Sequence, residues 1–206
     1  MAYSNFTLAK VKEDFDLTID ERQNLFADVE AIQPSELLTV ILQDYIPLAT
    51  AIGTEKARSE FLIAPILSEV RRQLNYRVSL FSGTDFNVDI GRGLLGYCDF
   101  LISASREQFF ISAPVITIVE AKNENIIGGL GQCIAEMVAA QIFNQRQGIN
   151  ISVIYGAVTS GTSWRFLTLS ESQVCIDLVE YYINQLDKIL GIILNQIQSY
   201  LTIDNP

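Results

Sequence analysis

The chain has 206 residues, a formal net charge of −10, 49% hydrophobic residues and no histidine. That length suits one domain with a proper core and leaves no room for a second catalytic domain. The missing histidine excludes Ser-His and Cys-His nucleophilic machinery and any His-ligated zinc site. The acidic surplus speaks against a simple DNA binder, because Lys and Arg contacts to phosphate supply most non-specific affinity. Chemistry must rest on carboxylates, lysine and a borrowed metal.

The three cysteines, Cys98, Cys133 and Cys175, are an odd number without C-x-x-C spacing and lie in apolar contexts. Such thiols are reduced and buried, which points to the cytoplasm. The N-terminus, Met-Ala-Tyr-Ser-Asn-Phe, has no basic apolar leader, so no signal peptide is expected. Long apolar runs are broken, by Glu136 in one and by Asn195, Gln196 and Gln198 in the last, so no membrane span is expected.

In chain order, Thr18-Ile-Asp-Glu reads as a cap, with Leu25, Phe26 and Val29 at helical spacing behind it. Pro34-Ser-Glu opens a second helix through Tyr45 that Pro47 ends or bends. Thr54 caps a long helix to about Leu74, with Pro65 as a kink. Tyr76 to Phe81 and Phe86 to Ile90 read as two β segments around the turn signal Ser82-Gly-Thr-Asp. Gly91-Arg-Gly-Leu-Leu-Gly is a turn or bulge; it lacks the Gly-Lys-Ser/Thr ending of a phosphate loop. Arg71, Arg72, Arg77, Arg92 and Arg106 form either a basic rim or helix-end charges that complement the dipole.

Leu95-Gly-Tyr-Cys-Asp-Phe-Leu-Ile102 and Val115-Ile-Thr-Ile-Val-Glu-Ala-Lys122 are strand-like. Strand geometry puts Glu120 and Lys122 on one face, with Ala121 pointing away. If the two strands are neighbours, Asp99 and Glu120 can reach one hard cation, and oxygen ligands of that kind suit Mg²⁺ or Mn²⁺. The glycines Gly128, Gly129 and Gly131 begin a helix to about Asn144, on which Gln132, Glu136 and Ala140 share a face. Glu136 is expected to be a structural hydrogen-bond acceptor there. Ile151 to Val158 and Trp164 to Leu169 read as paired strands. From Asp177 to Ile203 a broad apolar stripe reads as one helix that must pack on the core or on a second subunit.

With these residues in this order the chain resembles the PD-(D/E)XK nuclease superfamily, whose core carries an Asp on one strand and Glu-x-Lys on the next. The resemblance runs from about Ala57 to Leu169, although the Asp is not preceded by the proline that helps name the superfamily. It adds Glu60 as the acid of the preceding helix and Gln132 as the glutamine of the following one. The implied fold is α/β: a restriction-endonuclease-like mixed central sheet flanked by helices. Residues 54–170 would form the core, 1–53 an N-terminal helical extension and 171–206 a C-terminal helical segment.

The implied activity is Mg²⁺-dependent hydrolysis of nucleic acid, with DNA favoured over RNA. Asp99, Glu120, the carbonyl of Ala121 and Glu60 would hold metal, while Lys122 would orient or deprotonate water and Gln132 would hold phosphate or the lysine. The alternative is a nuclease-fold module without turnover, and a homodimer through the helical termini is a further expectation.

Overall fold

The computed structural model describes residues 2–203, with side chains for 2–201. Its elements are α1 (Leu8–Asp14), β1 (Thr18–Asp20), α2 (Glu36–Ile52), α3 (Glu55–Arg58), a π-helical turn (Ser59–Ile63), α4 (Ala64–Gln73), β2 (Ser79–Asp85), β3 (Tyr97–Ser103), β4 (Val115–Ala121), α5 (Ile126–Arg146), β5 (Ile154–Thr159), β6 (Ser163–Ser170), β7 (Gln173–Tyr182) and α6 (Leu186–Ile203). The strands form one mixed seven-stranded sheet in the order β1-β7-β6-β5-β4-β3-β2. β4 runs parallel to β5 and β1 parallel to β7, and the remaining neighbours are antiparallel.

Helices cover both faces, because successive strand residues point to opposite sides and both sides are apolar. Ile118 and Val158 pack in a core with Cys133, Ile134 and Met137 of α5. Val119, Ala121, Ala157 and Phe166 pack in a second core with α2, α4 and α6. α5 is long and apolar enough to cross a membrane by length and composition, yet 67% of its most apolar window is buried inside the protein. It is the central helix of the first core.

The α/β class and the flanked mixed sheet agree with the sequence reading, and Asp99 and Glu120 lie on adjacent strands as expected. Several local expectations are corrected. Thr18–Asp20 is a strand, paired parallel to β7 from Thr18 opposite Gln173, and no helix forms between residues 21 and 34. Pro47 does not end α2, which runs on to Ile52 and stops at the left-handed Gly53, with Leu38, Leu42 and Ala49 buried along its inner side. A π-helical turn lies just before Pro65, which stands in the first turn of α4 behind Ala64.

The turn signal around Gly83 is absorbed inside β2, where pairing continues from Ser82 opposite Phe100 to Thr84 opposite Cys98. Residues 86–90 are a loop fastened to 94–96 rather than a strand. The C-terminal stripe is split: Val179 and Tyr182 belong to β7, and the helix begins only at Leu186.

α6 is covered within the chain. Ile189, Ile192, Ile193 and Ile197 are buried in the core shared with Phe26 and α4. Residues 27–32 bind it directly: Ile32 N–H donates to Asp187 O at 2.8 Å, and Lys188 Nζ donates to the carbonyls of Ala27 and Val29. A second subunit is not needed to hide that stripe.

Candidate active site

Pairing Phe100 with Val119 brings the next residues along, Asp99 and Glu120, to the same point of neighbouring strands. Asp99 Oδ2 accepts a hydrogen bond from Ala121 N–H at 2.8 Å, which ties its carboxylate to the end of β4. Lys122 N–H in turn donates to Thr159 O at 2.8 Å, continuing the β4–β5 ladder past Ala121. The lysine thus leaves the sheet at a fixed position.

The Lys122 ammonium donates to Glu120 Oε1 at 2.5 Å and to Gln132 Oε1 at 3.4 Å. Gln132 Nε2 donates one turn further along α5 to Glu136 Oε1 at 3.1 Å. Close approach of helix and sheet depends on Gly129, where a Cβ would stand 2.7 Å from Val158 Cγ1 and 3.0 Å from the Lys122 chain. Gly131 admits the N-terminal segment in the same way, since a Cβ there would stand 2.4 Å from Phe6 O. That segment closes the buried side of the site, with Tyr3 almost fully buried and its hydroxyl donating to Phe86 O at 2.5 Å.

Burial dominates the electrostatics. Desolvation, followed by the neighbouring Asp99 charge, pushes the Glu120 carboxyl up to about 8 against the opposing pull of Lys122. Glu136, fully enclosed, is pushed well above the ordinary carboxylate range by desolvation and then by Glu120. Desolvation pulls Lys122 down, but the charge and hydrogen bond of Glu120, helped by Glu55 and Asp99, outweigh it and leave the ammonium favoured. The thiols of Cys98 and Cys133 are pushed up by burial, as inert core cysteines should be.

Asp99, Glu120, Lys122 and Gln132 are therefore brought together, and Glu136 takes the accepting role expected of it. Glu60 is not brought to them. Its carboxylate pairs with Lys56 at 3.0 Å and is half exposed, on the wall of a groove against α2 with Leu38, Tyr45 and Arg72. Glu60 lies within the π-helical turn. The helix acid whose charge reaches Lys122 is Glu55, which the sequence reading missed; its place directly behind the Thr54 cap was the available signal.

The basic rim does not gather. Arg72 pairs with Glu69 at 2.6 Å, Arg71 and Arg77 donate to the carbonyls of Val78 and Leu74, and Arg92 lies over the Phe15 ring at 4.7 Å. Trp164 is fully buried and donates to Gly161 O at 3.2 Å, so it is core packing.

The donor chemistry fits a hard divalent ion. Glu120 Oε2 is buried without a hydrogen-bond partner, and Asp99 and Glu120 offer oxygens only. Among the described residues no group of three or more His, Cys, Asp or Glu side chains is arranged to hold an ion. Such an ion would take its other ligands from the Ala121 carbonyl, water and substrate. Compared with family models, curated proteins and solved structures, the chain matches none.

Proposed function

We propose that the chain is a metal-dependent phosphodiesterase acting on nucleic acid, DNA ahead of RNA. The observation that carries this reading is the convergence of Asp99, Glu120 and Lys122 at one point of two adjacent strands, with Gln132 of the next helix on the lysine. The order β2-β3-β4, α5, β5 around that point is consistent with a restriction-endonuclease-like core.

Asp99 and Glu120, with the Ala121 carbonyl, would hold Mg²⁺ or Mn²⁺. When bound, the ion supplies Lewis-acid polarisation of the phosphate and acidifies a water. Lys122, side chain about a quarter exposed, faces outward far enough to orient that water and to offset charge building on the phosphoryl oxygens. Gln132 holds the ammonium toward Glu120. Glu60, paired with Lys56 on the helix surface, takes no part in the reaction.

A second reading, a nuclease-fold binding module without turnover, is favoured by the net charge of −10 and by arginines engaged in their own fold. One experiment separates the two. Purified protein is incubated with single- and double-stranded DNA and with RNA, with Mg²⁺, with Mn²⁺ or with chelator, beside Lys122→Ala. Metal-dependent cleavage that Lys122→Ala lacks supports the enzyme; equal activity in both preparations, or none with either metal, removes it.

A further inference from the structure

Glu136 is 0% exposed, and its Oε2 has no hydrogen-bond partner. A buried carboxyl with one oxygen unmet is costly, so its presence on the inner side of an apolar helix needs a reason other than packing. Its other oxygen supplies one. Oε1 accepts from Gln132 Nε2 at 3.1 Å, and the opposite end of that amide, Oε1, faces Lys122 Nζ at 3.4 Å.

An amide has a donating end and an accepting end, and only one orientation serves Lys122. Turned over, Gln132 would aim its NH₂ at the ammonium, setting donor against donor, and would withdraw the N–H that now meets Glu136. A carboxyl oxygen at 136 holds the donating end of the amide in the orientation that serves Lys122, and an apolar side chain there would leave that end without its acceptor. The groups facing Glu136 are Glu120 and Asp99 from the sheet, Cys98 from β3, Cys133 and Gln132 from its own helix, Lys122 beyond β4 and Tyr3 from the N-terminal segment. Of these, Gln132 is the one whose side-chain hydrogen bond joins Glu136 to the lysine.

We propose that Glu136 is a positioning residue for Lys122, acting through the Gln132 amide, which it holds carbonyl-first toward the ammonium. This rests on Lys122 being the reactive cation of the proposed phosphodiesterase. Glu136 itself touches neither substrate nor metal.

The test has two arms on the full chain. In ¹⁵N-labelled, metal-free protein, the Gln132 side-chain amide signals are assigned by their loss in Gln132→Met, and their exchange with solvent is measured. Protection is expected in wild type and in Glu136→Gln, which keeps a carbonyl acceptor, and its loss in Glu136→Met. In the second arm, cleavage of an oligonucleotide with Mg²⁺ should show kcat down by about tenfold to a hundredfold in Glu136→Met, as small misplacements of a reacting group produce. KM should change less than kcat, and Glu136→Gln should recover most of the loss. Thermal melting of Glu136→Met no lower than wild type shows that unfolding is not the cause.

Wild-type Gln132 protons exchanging as fast as an exposed glutamine overturn the proposal even if Glu136→Met does not fold. So does a wild-type kcat in Glu136→Met. A wild type that cleaves nothing overturns the phosphodiesterase reading, and the exchange arm then decides the positioning role alone.

Discussion

Asp99 accepts a hydrogen bond from the backbone N–H of Ala121 at 2.8 Å, so the strand that carries Glu120 also anchors the carboxylate opposite it. One oxygen of Asp99 is committed to the backbone, and its charge still bears on Glu120. The two acids are held together by the sheet, and Lys122, on whose ammonium both charges act, hydrogen-bonds Glu120 alone of the two.

Asp99→Asn should therefore separate charge from architecture. The amide oxygen keeps the bond to Ala121, so the fold persists, while the like charge beside Glu120 is gone and metal-free protein should melt at a higher temperature above about pH 8, where Glu120 is charged. Cleavage with Mg²⁺ should fall by about a hundredfold or more, on the scale of losing one preorganised electrostatic group. Thermal melting and Mg²⁺ titration calorimetry on both proteins check the two halves; a lower melting temperature would contradict the like-charge account.

Stability of the metal-free protein should depend on pH through Glu120. Its carboxyl titrates near 8 when folded, against about 4.5 as the ordinary value. The folded state therefore binds the extra proton between those values, and stability is fully present below the lower one and lost as pH rises through the upper. Melting temperatures taken at steps from about pH 5 to about pH 9 should fall toward the alkaline side, and Glu120→Gln should flatten the curve.

Lys122→Met should cost activity without unfolding the protein near neutral pH. Removing the ammonium leaves Glu120, 1% exposed, without the cation that pulls its carboxyl down, so the carboxyl, already protonated below about 8, holds its proton further into the alkaline range. The variant should thus resemble wild type by circular dichroism at about pH 6 and go on losing stability above about pH 8, where the wild-type loss levels off. A uniform loss of stability at every pH would show that the lysine chain acts mainly by packing.

Gly129→Ala should damage the site from the helix side. The added methyl would stand 2.7 Å from Val158 Cγ1 and 3.0 Å from the Lys122 chain. Overpacking of that kind costs about 1–3 kcal/mol, more than the roughly 1 kcal/mol that alanine contributes in a helix. Denaturant unfolding should report a net loss, and cleavage should decline further than the stability change explains.

Gly191→Ala tests the cover over α6. A Cβ there would stand 2.1 Å from the carbonyl oxygen of Glu30, so residues 27–32 would be pushed off the helix and the apolar stripe exposed. Reduced melting temperature with aggregation, followed by light scattering, is the expected outcome. A variant that stays soluble and folded as a stable dimer would instead point to a subunit as the natural cover.

Much of the sheet was legible in the sequence because short, nearly continuous apolar runs mark strands buried on both faces. Val115–Ala121, Tyr97–Ser103 and Ile154–Thr159 carry enough apolar residues on both faces to specify buried strands without help. The pairing of Glu120 with Lys122 followed from the two-residue period of a strand, and Glu136 accepting from Gln132 followed from the four-residue spacing of a helix. Those periods are local properties of the backbone.

What the tertiary structure decided lies where local preference is weak. Thr18–Asp20 is too short to declare itself and becomes a strand only because the edge of β7 offers unpaired backbone groups. Gly83 signals a turn and keeps a left-handed φ of 59°, yet pairing with β3 resumes on its far side and β2 continues past it. The apolar stripe before Leu186 fits two periods at once, and contact with β6 selects the strand. Glu60 and Glu55 lie five residues apart on one helical stretch, and only the fold shows that the charge of Glu55 reaches Lys122 while Glu60, in the π-helical turn, pairs with Lys56. Sequence spacing follows residues along one element; the convergence of acids from separate elements is set by how those elements pack.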